Sequence, residues 1–193
     1  SDGQLLFLLN NISKMKQDTP LGSRIVEVHN GSSLFTGDAG SGESNARRYM
    51  IENDLVEAII ALPEKMFYNT GIGTFIWVLS NRKEEHRKGK IQLIDATGIK
   101  TPLRKNMGEK NCELSPAQRQ EIVRIFMAFE ESEVSRIFPN SEFGYWKVSV
   151  QQPLLDEQGN PALDKKGRIQ PDKAKADTEI IPFRYEGGIE AFM

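Results

Sequence analysis

Strand-length apolar runs alternating with helical patterns predict an α/β protein: a mixed, mostly parallel sheet flanked by helices. Three observations carry this. Residues 56–62, 74–79 and 90–95 are apolar runs rich in branched and aromatic side chains, the first closed by Pro63 and the last followed by Gly98. Leu5, Leu8, Leu9, Ile12 and Met15 recur at helical spacing. Ser115-Pro116-Ala117-Gln118 joins a capping serine, a proline at the first helical position and a glutamine at the third, so a helix starts there.

In chain order, residues 3–16 read as an amphipathic helix that stops before Asp18-Thr19-Pro20. Residues 24–29 follow as a short buried strand, in which Glu27 needs a partner or water because an unpaired buried carboxylate is costly. After the glycine-rich stretch 37–42, Ser44 or Asn45 caps a helix to about Asn53 that turns Tyr49 and Met50 toward the core. The three strands above come next. A charged loop without a helix separates the second from the third, which predicts at least one antiparallel pair. Ile122, Ile125, Phe126 and Phe129 form the apolar stripe of the helix from Ser115. Past Pro139 the signals weaken: residues 146–150 read as a strand, 156–178 are polar with Gly-Asn-Pro and Lys-Lys-Gly turns, and no internal repeat is visible. The expected division is an α/β part over 1–112, a helix and strand packed on it over 113–150, and a polar, partly flexible extension over 151–193.

Composition excludes several classes. At 193 residues, with 38% hydrophobic and 27% charged residues, the chain can bury a core. No apolar run reaches the roughly 18 to 20 residues of a membrane span, and the N-terminus lacks the marks of a signal peptide, so a cytoplasmic location without membrane contact is expected. Cys112 is the single cysteine and His29 and His86 the two histidines, which argues against an internal disulfide and against a cysteine or histidine metal cluster. A net charge of −2 and a pI near 5.8 argue against strong nonspecific nucleic-acid binding by this chain alone. The local basic stretches Arg82-Lys83, Arg87-Lys88-Gly89-Lys90 and 100–110 are interleaved with acids or lie in loops, and read as solvated surface before phosphate track.

Several linked segments, in one order, carry a resemblance. DGQLLFLLNNISKM leads into a strand, then an HNG-S-LF turn and a glycine-rich loop; NARRYMIENDLVEAIIALPEKMFYNTGI follows, then an apolar strand and a K-G-K-x-x-x-I-D-A segment. Residues 2–98 with this pattern, and later IFPNSEFGYWKVSV and DTEIIP, resemble the modification (methyltransferase) subunit of type I restriction-modification systems, in the C-terminal part of its adenine-N6 DNA methyltransferase domain. The resemblance implies part of a Rossmann-like S-adenosylmethionine-dependent methyltransferase fold. It implies methyl transfer from the sulfonium to the exocyclic nitrogen of a flipped adenine, with DNA and the specificity and restriction subunits as partners.

Two motifs of that family are absent. It holds S-adenosylmethionine on a glycine-containing loop after its first strand and the target amino group on Asn-Pro-Pro-Phe or Asn-Pro-Pro-Tyr; the one Asn-Pro here, Asn160-Pro161, sits in the polar tail. Both motifs precede the family's equivalent of the first helix. The chain therefore reads as a piece of a longer subunit, expected to bind no cofactor and to methylate nothing alone, with S-adenosylmethionine used by the full-length subunit.

Two loops hold the candidate site. The resemblance places an aromatic that stacks on extruded adenine in Phe67-Tyr68-Asn69-Thr70-Gly71, so Phe67 and Tyr68 are candidate target-base residues. The plainer alternative packs Phe67 inside and leaves Tyr68 at a rim. Asn30, at a strand end where ligands of open α/β sheets bind, is a third candidate, although Asn30-Gly31 is also a common turn and Leu34-Phe35 suit a core. Gly73 stands where the family usually has proline, which loosens the loop. Arg47, Arg48 and Asn69 are candidate DNA or subunit contacts, against the alternative of a solvated helix face. The loop 37–42 lacks both the strand context and the Gly-Lys-Ser/Thr ending of a nucleotide-binding loop. Two functions stay open: part of an adenine-N6 DNA methyltransferase, or a non-catalytic α/β module that binds a specificity subunit or DNA.

Overall fold

A computed structural model describes residues 3–192. The chain divides into two compact units, Ser1–Asn140 and Ser141–Met193.

In the first unit, α1 (Gly3–Ile12) buries Leu5, Leu8 and Ile12. It ends before residue 16, yet Met15 stays buried just beyond it. β1 (Arg24–Asn30) leads through the one-turn α2 (Ser32–Phe35) to α3 (Gly42–Glu52), whose cap is Ser41, accepting from the Ser44 amide, and not Ser44 or Asn45. Met50 is fully buried, whereas Tyr49 is half exposed, because adjacent helical positions point about 100° apart and only one meets the sheet. β2 (Val56–Ala61), β3 (Thr74–Ser80) and β4 (Lys90–Asp95) follow, then a separate hairpin, β5 (Thr101–Met107) with β6 (Lys110–Glu113). α4 (Pro116–Ala128) has the full capping box, with Ser115 and Gln118 exchanging hydrogen bonds. β7 (Ser135–Pro139) completes a five-stranded sheet of order β1-β3-β2-β4-β7.

That sheet is mixed. β2 and β4 are parallel, while β3 is antiparallel to both β1 and β2, and β7 is antiparallel to β4. β1, β2 and β4 thus run one way and the intervening β3 the other. Alternation along β3 splits its side chains between two faces. Val78, with Ala58, Ile60, Leu62, Ile94 and Ala96, packs with Ile122 of α4, joined by the partly buried Ile125 and Phe126. Trp77 lies on the opposite face, where its indole Nε1 donates to Ser33 Oγ at 3.1 Å. β1 is buried on one face only: Val26 and Val28 are 61% and 51% exposed. Glu27 finds partners on the other face, 2.9 Å from the Nε2 of buried His29 and in a hydrogen bond from the Asn11 side-chain amide.

Several charged side chains lie inside, Lys83 and Arg87 among them although their stretches read as solvated surface. Glu57 is fully buried and pairs with Arg24 Nε at 2.9 Å. The Lys83 ammonium is buried between Asp54, at 2.6 Å, and the Lys90 carbonyl, at 2.9 Å. Arg87 is buried with its guanidinium 4.3 Å and 4.4 Å from the ring centres of Phe126 and Phe129, and it donates to the Phe126 carbonyl. The basic run 82–90 is therefore solvated only in part.

In the second unit, β8 (Tyr145–Val150) and β9 (Asp177–Pro182) form an antiparallel pair. Ile181 is fully buried, and the rings of Trp146 and Phe183 lie 5.0 Å apart. Between the strands the structure reveals a repeat that composition hides. Leu155-Asp156-x-x-Gly159-Asn160 and Leu163-Asp164-x-x-Gly167-Arg168 fold identically. Asp156 Oδ1 accepts the amides of Gln158 and Asn160, both at 2.9 Å, and Asp164 Oδ1 those of Lys166 and Arg168, at 2.7 and 2.9 Å. Each turn closes through a left-handed glycine, φ 81° at Gly159 and 74° at Gly167. Bridges Leu155–Pro161 and Leu163–Ile169 hold the two stems.

Candidate functional site

Because β3 reverses direction, the carboxyl ends of β1, β2 and β4 and the start of β3 share one edge of the sheet. Residues 62–73 join β2 to β3 along that edge. Phe67 and Tyr68 stand in this loop, 38% and 58% exposed, between two left-handed non-glycine residues, Lys65 and Asn69, each with φ 56°. Such a conformation costs about 1 kcal/mol per residue, so neighbouring structure must hold it.

The β5–β6 hairpin supplies that hold. The Asn111 amide donates to the Lys65 carbonyl at 3.0 Å, and the buried Cys112 thiol to the Glu64 carbonyl at 3.3 Å. The Tyr68 hydroxyl lies 3.8 Å from Met107 Sδ, and Lys110 Nζ is 5.2 Å from the centre of the Tyr68 ring. Met66, Phe67, Tyr68, Lys110, Glu113, Leu114 and Arg119 line an open recess of about 290 Å³. One wall is aromatic, and two cations and one carboxylate line it.

The remaining candidates divide by what their polar atoms already do. Asn30 Oδ1 accepts from the Ser32 amide at 2.9 Å and from Gln4 Nε2 at 3.0 Å, so its side chain shapes the turn after β1. Arg47 donates to the carbonyls of Ser33, Thr36 and Gly37 at 3.2, 2.7 and 3.4 Å, which folds the glycine-rich stretch back onto α3. Arg48 is exposed and pairs with Glu52 one turn on, at 2.7 Å. Asn69 joins the aromatic pair in its loop, with Oδ1 beside Gly108 of the hairpin. Phe35 is 76% exposed where a core residue was expected. Sequence reasoning read Lys110 as solvated surface and missed Met107 and Arg119: β5 is exposed along nearly its whole length and gives no strand periodicity, and Arg119 lies off the apolar stripe of α4.

A sheet with this order, carrying its aromatic loop after β2, has matches among known proteins. The model for N-6 DNA methylases matches residues 1–149. The chain belongs to the N-6 DNA methylase family. It is 33% identical over 112 residues to the type I restriction enzyme MjaIX methylase subunit of Methanocaldococcus jannaschii, covering 58% of this chain and 19% of that protein. It is 47% identical over 58 residues to the MjaVII methylase subunit of the same organism, covering 30% of this chain and 10% of that subunit. The chain thus spans a fifth or less of these relatives. The type I restriction-modification methyltransferase subunit of Streptococcus thermophilus shares its fold at a TM-score of 0.61 and 22% identity, over 74% of this chain and 28% of that one. The sheet accordingly represents part of the S-adenosylmethionine-dependent methyltransferase fold.

Family membership implies S-adenosylmethionine for a complete N-6 methylase, and the described residues do not fit it. The glycine-rich stretch before α3 is closed on itself: Ser41 Oγ caps the helix, Arg47 takes the Thr36 and Gly37 carbonyls at its start, and a Cβ on Gly37 would meet Ser41 Oγ at 2.5 Å. Asp95, at the end of β4, is engaged by the Thr97 hydroxyl and amide at 2.6 and 3.0 Å, which hold its carboxyl below the ordinary range. Among the described residues no group of histidine, cysteine or carboxylate side chains could hold a metal, and no helix is long and apolar enough to cross a membrane.

Proposed function

We propose that this chain is the C-terminal part of the catalytic domain of an adenine-N6 DNA methyltransferase subunit of a type I restriction-modification complex, and that it supplies the sheet and one wall of the target-adenine pocket. The observation that carries this reading is the placement of Phe67 and Tyr68. In an N-6 DNA methylase they stand exposed at the carboxyl edge of the sheet, on a loop clamped by a hairpin, beside a recess open to solvent. A base taken out of a duplex loses its stacking, and an aromatic face restores part of it. Holding that ring on a strained, clamped loop fixes it before the base arrives, which lowers the ordering cost of binding. Cofactor binding and the group that receives the adenine amine fall to the rest of the subunit, and reading of the recognition sequence to a specificity subunit.

The test uses the complete subunit assembled on target DNA. Stacking contributes about 1–3 kcal/mol per base, so Tyr68→Ala and Phe67→Ala should each lower methylation roughly tenfold or more while the fold is kept, and Tyr68→Phe should restore most of the loss. Unchanged methylation in both alanine variants ends the stacking role and favours a non-catalytic interaction module.

A further inference from the structure

The β5–β6 hairpin has no structural reason to carry unpaired cations along β5. β5 is exposed at six of its seven positions, Leu103 being the half-buried one, and two-stranded ribbons are marginal in water unless something else holds them. What holds this one is loop 62–73, through Asn111, Cys112, Met107 and Lys110. The rest of β5 is left over, and its two charged residues, Arg104 and Lys105, are both cations. Lys100, Arg104, Lys105 and Lys110 oppose Glu109 and Glu113, in a chain whose net charge is −2. Lys100, Arg104 and Lys105 are exposed and form no ion pair among the described residues. By contrast, Lys83, Arg87 and Lys88 of the basic stretch 82–90 each have a polar partner.

We infer that the β5–β6 hairpin is a DNA-backbone arm: Arg104 and Lys105, with Lys100 behind them, bind duplex phosphates flanking the nucleotide that loop 62–73 receives. The assignment rests on the target-base reading above for its location, and on charge complementarity for its partner. An acidic protein surface would satisfy the same charges, but the arm is tied to the ring-bearing loop by four separate contacts, so a phosphate gripped by the arm also fixes Tyr68 relative to the strand. Lys110 then has two uses, a cation against the Tyr68 ring and a charge lining the recess.

Counterion release gives the measurement. Each phosphate contact contributes about −0.9 to the slope of log K against log salt, so Arg104→Gln with Lys105→Gln should flatten that slope by nearly 2. Nonspecific and specific DNA should be affected alike, because phosphate contacts carry no sequence. Between about 50 and 200 mM salt the double variant should lose about tenfold less affinity than the parent does. The experiment is a salt titration of DNA binding by the complete subunit in its complex, with Tyr68→Ala measured alongside. An unchanged slope in the double variant overturns the arm. So does an unchanged slope accompanied by loss of complex assembly, which would assign the hairpin to a protein partner. If Tyr68→Ala methylates normally while the double variant still flattens the slope, the stacking role fails and the arm stands.

Discussion

Arg87→Ala should destabilise the first unit by about 3 kcal/mol, one of the largest effects of any single charged side chain in the molecule. The guanidinium lies between the rings of Phe126 and Phe129 and donates to the Phe126 carbonyl in the last turn of α4. That carbonyl has no partner within the helix, and a cation there also meets the negative end of the helix dipole. Phe129 ends α4 in a left-handed conformation, φ 49° and ψ 50°, which a phenylalanine adopts only when held. Arg87 holds it. Truncation removes two ring contacts and a charge-assisted hydrogen bond and opens a cavity at the helix end. Burial lowers the Arg87 pKa and nearby Glu57 raises it, and the guanidinium stays charged throughout. Arg87→Lys should recover less than half of the loss, since a point charge does not stack between two planes. Denaturant unfolding of each variant measures this, with Arg124→Ala as the control. Arg124 pairs with Glu121 on the solvent side of the same helix, and its removal should leave the midpoint unmoved. A midpoint for Arg87→Ala equal to that of the control refutes the pinning role.

The second large effect belongs to Asp54. Its carboxylate ties three segments, accepting from Lys83 Nζ at 2.6 Å, from the Gly89 amide at 2.9 Å and from the Asn140 side-chain amide at 2.9 Å. Burial pushes the Asp54 pKa up, but the hydrogen bonds from Lys83, Gly89 and Asn140 outweigh it and hold the carboxyl below its ordinary value of 3.8. A carboxyl depressed on folding adds stability that is complete above the unfolded value and lost as pH falls through the lower folded one. Lys83 is also lowered, first by burial, with Asp54 opposing. An ammonium lowered on folding makes stability rise with pH between its folded value and 10.5, far from the acid arm. Asp54→Asn leaves the buried Lys83 charge without its counterion and should cost about 2–3 kcal/mol near neutrality, the lower end for a broken buried pair because Asp54 is one-third exposed. As pH falls through the lowered folded value the parent protonates Asp54 too, and the two proteins should converge. Urea midpoints from pH 2.5 to 7 test the convergence; parallel curves would place the acid sensitivity elsewhere.

Both effects involve residues that sequence reading assigned to the surface. Arg82-Lys83 and Arg87-Lys88 look like solvated charge because nothing local distinguishes Lys83 from its neighbours; only the approach of Asp54 and the two phenylalanines, distant in the chain or across α4, makes an interior site for each. Signals that act within one turn were legible. The capping box of α4, the strand runs 56–62, 74–79 and 90–95 and the helical spacing of Leu5, Leu8 and Ile12 needed no distant partner. The strands β5, β6, β7 and β9 were not seen, because an edge or ribbon strand is defined by the strand it meets and not by its own alternation. At the site, the loop bearing Phe67 and Tyr68 was legible through its resemblance, while the hairpin that clamps it was not. Asn30 and Arg47 show the limit most directly: sequence supplies polar groups near a strand end, and the fold alone decides that their hydrogen bonds are already used.

The paired aspartate turns between β8 and β9 bear on how this region can change over time. Each turn satisfies its own amides from its own carboxylate, and the residues that flank them are bonded in a closed set, Ala162 to the Leu154 carbonyl at 2.7 Å, Gln170 to the Ala162 carbonyl at 2.8 Å and Leu154 to the Gln170 carbonyl at 2.8 Å. Loss of one eight-residue copy would remove a member of that set and leave backbone groups of the other two without their partners, so the span between β8 and β9 is held to both turns together.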